Sequence, residues 1–97
     1  MSLKRASRKD IEWVNNQYKE IGFVESNFDN EIIVIVEHEG NCAGLGRIVN
    51  LNNNEAEMGG IYILDKYRGL TLARKLVEGL IDTARLEGYK TIYCLPF

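Results

Sequence analysis

From Glu57 to Lys75 the chain reads EMGGIYILDKYRGLTLARK, and the residues best suited to chemistry gather in and beside this stretch. Glu55 and Glu57 lead into a Gly59-Gly60 pair, a basic turn follows at Arg68 and Gly69, and Arg74 and Lys75 come shortly after. A strand, a short basic loop and a helix start in that order bring backbone N–H groups and the positive end of a helix to the point where a strand finishes. Such a junction binds anions. Cations in the first turns of a helix oppose its dipole and invite a compensating anion, and a pyrophosphate meets that description. Gly59 and Gly60 interrupt a strand-like segment, which predicts a bulge or a close approach to the backbone there. The other reactive residues read as structural. His38 stands beside a turn without a second His or a spaced Cys or Asp, so it is expected to face solvent, and no metal site is expected. Cys42 and Cys94 lack C-x-x-C spacing and are expected to be buried free thiols.

The elements that must position this junction follow from periodicity. Ser7 and Asp10 have capping-box spacing, and Ile11, Val14, Tyr18 and Ile21 recur at helical intervals up to Gly22, which predicts an amphipathic first helix. Trp13 on that helix is expected either to pack or to line a pocket for a second substrate. The β-branched run Glu31 to Glu37 (EIIVIVE) reads as a buried strand. Gly40 and Asn41 supply hairpin chemistry, Cys42 to Leu51 the returning strand, Asn52 to Asn54 the next turn, and Glu55 to Leu64 the third strand. Leu72, Ala73, Leu76, Val77, Leu80, Ile81 and Ala84 share one helical face, with Gly88 as the stop. Lys90 to Leu95 (KTIYCL) reads as a last strand, with Tyr93 and Cys94 expected in the core. The fold class is therefore mixed α+β: a helix, a three-stranded antiparallel meander, a crossover helix and a further parallel strand in one mixed sheet, forming a single domain over residues 1–97.

Composition narrows the function. The chain has 97 residues, 12 Lys plus Arg against 14 Asp plus Glu, and a formal net charge of −2. No bulk positive field exists to hold nucleic acid, so an anion site has to be local. The longest apolar run, Ile32 to Val36, falls far short of a membrane span of about 20 residues. No signal-peptide hydrophobic region opens the sequence, so a reducing, cytoplasmic setting is expected.

Tyr67-Arg68-Gly69-Leu70-Thr71-Leu72-Ala73-Arg74-Lys75-Leu76 resembles the acetyl-CoA signature R/Q-x-x-G-x-G/A of the GCN5-related N-acetyltransferases (GNAT). Arg68 fills the first position and Ala73 the last, while Thr71 stands where the family has its middle glycine. The resemblance extends upstream through CAGLGR (Cys42 to Arg47) and EMGGIYI (Glu57 to Ile63), and covers about Glu31 to Leu95. It implies a GNAT-like acyl-CoA N-acyltransferase fold and an enzyme that passes an acetyl group from acetyl-CoA directly to a primary amine. Ile61, Tyr62 and Ile63 would border the pantetheine arm, the first and last through backbone groups. Arg68, Gly69, Leu70, Thr71, Leu72, Ala73 and Arg74 would hold the pyrophosphate. The Gly59-Gly60 bulge would turn an N–H toward the thioester carbonyl. Glu57 would be the general base, with Glu55 as the fallback.

The resemblance further implies a small-molecule or peptide amine as acceptor, while spacing, charge and apolar run length lead to the expectation of no metal and no nucleic-acid or membrane partner. Family members usually continue past the fifth strand into another helix and two strands, a part that commonly supplies a general-acid tyrosine, and no tyrosine here aligns with it. The alternative reading is a catalytically impaired or incomplete acyl-CoA-binding module. An apolar edge at Lys90 to Leu95 predicts a homodimer through the last strand.

Overall fold

The computed structural model describes residues 2–69 and 71–94. Leu70 of the expected pyrophosphate loop lies outside the described residues, as do Leu95, Pro96 and Phe97. The elements are β1 (Ser2–Arg5), α1 (Ile11–Glu20), β2 (Glu31–His38), β3 (Asn41–Asn50), β4 (Glu55–Ile63), α2 (Leu72–Leu86) and β5 (Thr91–Cys94), with 3-10 turns at Arg8–Asp10 and Asp65–Tyr67. The meander, the crossover helix and the parallel last strand are present as expected, and β2, β3 and β4 match their predicted bounds to within one residue. Among the described residues no helix is long and apolar enough to cross a membrane.

The sequence did not announce β1. Ser2, Lys4 and Arg5 leave Leu3 as its one apolar residue, so no alternating pattern marks the segment, and the strand is held by its ladder to β2 from Ser2↔Glu37 to Arg5↔Val34. Charged side chains on such an edge strand discourage pairing with a further chain. The sheet order is β1-β2-β3-β4-β5. Every neighbouring pair is antiparallel except β4 and β5, which run parallel because α2 carries the chain back across one face.

Each helix covers one face. On the α2 side, Leu72, Leu76, Leu80 and Ala84, spaced one turn apart, pack with Val34, Val36, Ile48, Ala56 and Met58. Each fully buried leucine there contributes about 1.5–3 kcal/mol. Gly46 lets the helix come close, since a Cβ on it would lie 2.7 Å from a Leu80 methyl. On the other face, Val14 and Tyr18 of α1 pack on Ile33, Ile35 and Leu45, with Trp13 half-buried at the margin. The Ser7 capping box is present: the Asp10 carboxylate accepts the Ser7 backbone N–H at 2.8 Å and its hydroxyl at 3.2 Å. The box opens a 3-10 turn that runs into α1.

Candidate active site

The site is built from the far half of β4 and the start of α2. Pairing of β4 with β5 reaches Met58↔Cys94 and goes no further among the described residues, whereas β4 continues along β3 to Gly44↔Ile63. A cleft of about 470 Å³ opens beside residues 61–63 of β4. Ile61, Tyr62 and Ile63 line one side, while Arg68, Gly69, Thr71, Leu72 and Ala73 line the other. Tyr67, buried in the α2-side core, forms the floor beside Arg68. Arg74 is not in the lining and pairs with Glu78 on the exposed side of α2 at 3.4 Å.

The loop geometry suits an anion. Gly69 has φ +82 with open space where a Cβ would sit, and α2 begins with no acidic residue in its first turn. Both features suit an anion at the start of the helix, where the dipole is positive. Thr71, at the N-cap of α2, has φ +59 and ψ 18, the left-handed conformation that β-branched residues avoid. The position that the sequence signature reserves for glycine thus has a glycine-like backbone. Arg68 folds back over the groove: its Nε donates to the Ile63 carbonyl at 3.1 Å and pairs with Asp65 at 3.2 Å, with the guanidinium 5.8 Å from the Tyr62 ring centre.

The expected bulge is present. Leu45 pairs with Tyr62 and Arg47 with Gly59, so β4 carries one residue more than β3 between those pairs. Gly60 has φ +62, and a Cβ there would meet the Tyr18 hydroxyl at 2.7 Å and Arg47 Nε at 3.0 Å. Glycine is required twice over, by conformation and by space. Under the bulge on the α1 face lies a polar network. The Tyr18 hydroxyl donates to the Gly60 carbonyl at 2.8 Å, and the Arg47 guanidinium sits 4.6 Å above the Tyr18 ring. Arg47 also donates to the Val24 carbonyl at 2.9 Å and the Ser26 hydroxyl at 2.6 Å, and stands 3.7 Å from Glu31, whose buried Oε1 has no hydrogen-bond partner. Asn15 and the Ser26 backbone bond reciprocally, which ties the loop after α1 to the helix. Burial pushes the Tyr18 phenol pKa up, which keeps the hydroxyl a donor. The sequence reading missed Arg47 and Glu31 as parts of this site. The signal available was an arginine inside the apolar strand CAGLGRIV, because a charge at such a position demands a partner.

The two carboxylates differ in their freedom. Glu55 accepts Tyr93 Oη on one oxygen and Asn52 Nδ2 on the other, and these bonds hold its carboxyl below the usual range, Tyr93 contributing most. The side-chain carboxylate of Glu57, half-buried two residues before the bulge, has no hydrogen bond or ion pair among the described residues.

Three expectations are corrected. Tyr93 and Cys94 are exposed rather than in the core, because of β5 only Ile92 packs against the α2-side core. Cys42 is half-buried and free, with its thiol pushed up by burial. His38 is half-buried rather than fully solvent-facing: its ring meets Tyr67 edge-on at 5.9 Å and its Nδ1 is buried without a partner, while its Nε2 lies 3.8 Å from the exposed Glu39 carboxylate. Among the described residues no cluster of three or more His, Cys, Asp or Glu could hold a metal.

Residues 4–96 match the model of the acetyltransferase (GNAT) family. The chain belongs to that family. Solved structures with the same fold include a ribosomal-protein-alanine N-acetyltransferase from Brucella melitensis biovar Abortus 2308, at TM-score 0.81 and 13% identity over 100% of this chain and 81% of that one. Rv2747 from Mycobacterium tuberculosis, solved in complex with CoA, superposes at 0.82 with 17% identity over 100% of this chain and 65% of that one. AAC(6')-Iy, solved with the bisubstrate analog CoA-S-monomethyl-acetylneamine, gives 0.77 with 12% identity over 99% and 79%. No curated protein sequence matches the chain.

Proposed function

We propose that this chain, acting as one domain, is an N-acetyltransferase that carries an acetyl group from acetyl-CoA to a primary amine of a small molecule or a peptide. The observation that supports this most is the cleft beside Ile61 and Ile63 of β4, bounded by a positive-φ glycine loop and an α2 start free of acidic residues. Two relatives of the same fold were solved with CoA or a CoA-containing analog, which fits acyl-CoA as the donor. In this reading, amides from Arg68 to Ala73 take the pyrophosphate, the backbone of Ile61 and Ile63 borders the pantetheine arm, and the bulge supplies an N–H for the charge that develops on the thioester oxygen. Glu57 takes a proton from the acceptor ammonium. The neutral amine then attacks the carbonyl carbon, the C–N bond forms, the C–S bond breaks and CoA leaves as its thiolate, while the nitrogen gives up its second proton, through solvent, to that thiolate. Glu57 is favoured over Glu55 as base because both Glu55 oxygens are already engaged.

A second reading, an acyl-CoA-binding module without turnover, is favoured by the left-handed Thr71 at the signature position. One experiment separates them. Calorimetric titration with acetyl-CoA, followed by thiol-release assays across a panel of primary amines, is expected to give micromolar binding and amine-dependent release. Binding without release from any amine supports the module, and no binding at millimolar acetyl-CoA removes both readings.

A further inference from the structure

We propose that Tyr18 is a positioning residue for acetyl transfer: its hydroxyl, on a ring that lies under the Arg47 guanidinium, fixes the Gly60–Ile61 peptide of the β4 bulge so that the Ile61 N–H faces the cleft. The proposal rests on the acetyl-transfer reading and deepens it.

In a trans peptide the C=O and the N–H point in opposite directions. Tyr18 draws the Gly60 carbonyl toward α1, with the oxygens 2.8 Å apart. The Ile61 N–H is thereby sent away from α1, toward the side where Ile61 packs against the α2-side core and lines the cleft. A donor held in this way needs no reorganisation when charge appears on the thioester oxygen. The brace is needed because glycine at φ +62 offers the bulge little conformational restraint of its own. Tyr18 is itself immobilised: it is fully buried, stacked on Phe23 at 5.9 Å and covered by Arg47 at 4.6 Å. Arg47 extends the connection, since the same guanidinium nitrogen donates to Val24 and Ser26. The loop after α1 and the bulge are therefore held by one cation.

The test compares acetyl-CoA with CoA by calorimetry, in the wild-type chain and in Tyr18→Phe. The wild type is expected to bind acetyl-CoA about fivefold tighter than CoA, the value of one hydrogen bond to the acetyl oxygen. Tyr18→Phe is expected to bring that ratio to about one while the Kd for CoA stays within about twofold, and to lower kcat about 100-fold with KM for acetyl-CoA unchanged. A merely structural role would weaken both ligands equally and preserve the ratio, which overturns the proposal. A wild type with no preference for acetyl-CoA overturns it too. Should Tyr18→Phe not fold, Arg47→Lys serves in the same comparison, because it keeps the charge and loses the flat contact with the ring. If the wild type binds neither ligand, the acetyl-transfer reading has failed and the brace falls with it. If the preference is present and survives both substitutions, the brace alone is wrong.

Discussion

Thr71 is the residue at which chemistry and backbone disagree. A left-handed φ costs a side-chain-bearing residue about 1–2 kcal/mol, whereas glycine costs about 0.5–1 kcal/mol in entropy, so relief outweighs cost. Thr71→Gly is expected to stabilise the fold by up to about 1 kcal/mol in urea denaturation and to tighten acetyl-CoA binding; a lower midpoint would count against strain at φ +59. The carboxylates invite a paired comparison. Glu57→Gln is expected to lower turnover by about 10²-fold or more near neutral pH without changing the acetyl-CoA Kd, the deficit shrinking at high pH, where the free amine forms unaided. Glu55→Gln, by contrast, should leave turnover close to wild type, because the Glu55 oxygens already hold Tyr93 and Asn52. A larger loss from Glu55→Gln than from Glu57→Gln in the same assay reverses the assignment.

Elements were legible wherever periodicity was strong. The Leu72-Leu76-Leu80-Ala84 stripe and the EIIVIVE run each bury a continuous face, so hydrophobic spacing alone sets their type and nearly their ends. β1 was illegible because a four-residue edge strand is held by backbone bonds that leave no trace in side-chain pattern. The loop that borders the cleft was readable from Arg68, Gly69 and Ala73. The Tyr18–Gly60 brace was not, since its partners lie 42 positions apart and Tyr18 looks like any apolar helix residue. The exposure of Tyr93 and Cys94 was misread because alternation in a short strand gives the face of each side chain and not what covers it. At the start of α1, the Ser7 backbone N–H, more than Lys4, holds the Asp10 carboxyl below its ordinary value of 3.8. A folded-state pKa below the unfolded one adds stability above the unfolded value and loses it as pH falls through the folded one. Thermal melts from pH 6 downward should therefore show the wild type losing an increment below about pH 4 that Asp10→Asn lacks at every pH. Parallel curves for the two proteins would remove the cap from the stability of α1.

Across the whole molecule, the sheet is covered by α2 on one face and α1 on the other, and β5 lies at one edge of it with Thr91, Tyr93 and Cys94 all exposed. An edge of that kind pairs with another strand when one is offered. Self-association through β5 is expected in sedimentation at high concentration, and Ile92→Pro, which removes a ladder donor, is expected to change it; a monomer at every concentration counts against a dimer through this edge. The Arg68 side chain has a consequence for time rather than for affinity. Its Nε already occupies the Ile63 carbonyl that the pantetheine arm would approach, so the free groove satisfies its own acceptor. On the proposed reading, ligand entry is an exchange in two steps, a fast encounter at the basic loop and then a slower swing of the guanidinium. In stopped-flow mixing the observed rate should level off as acetyl-CoA rises, and in Arg68→Ala it should climb in proportion to concentration. A linear wild-type trace would mean that Arg68 leaves the carbonyl before the ligand arrives.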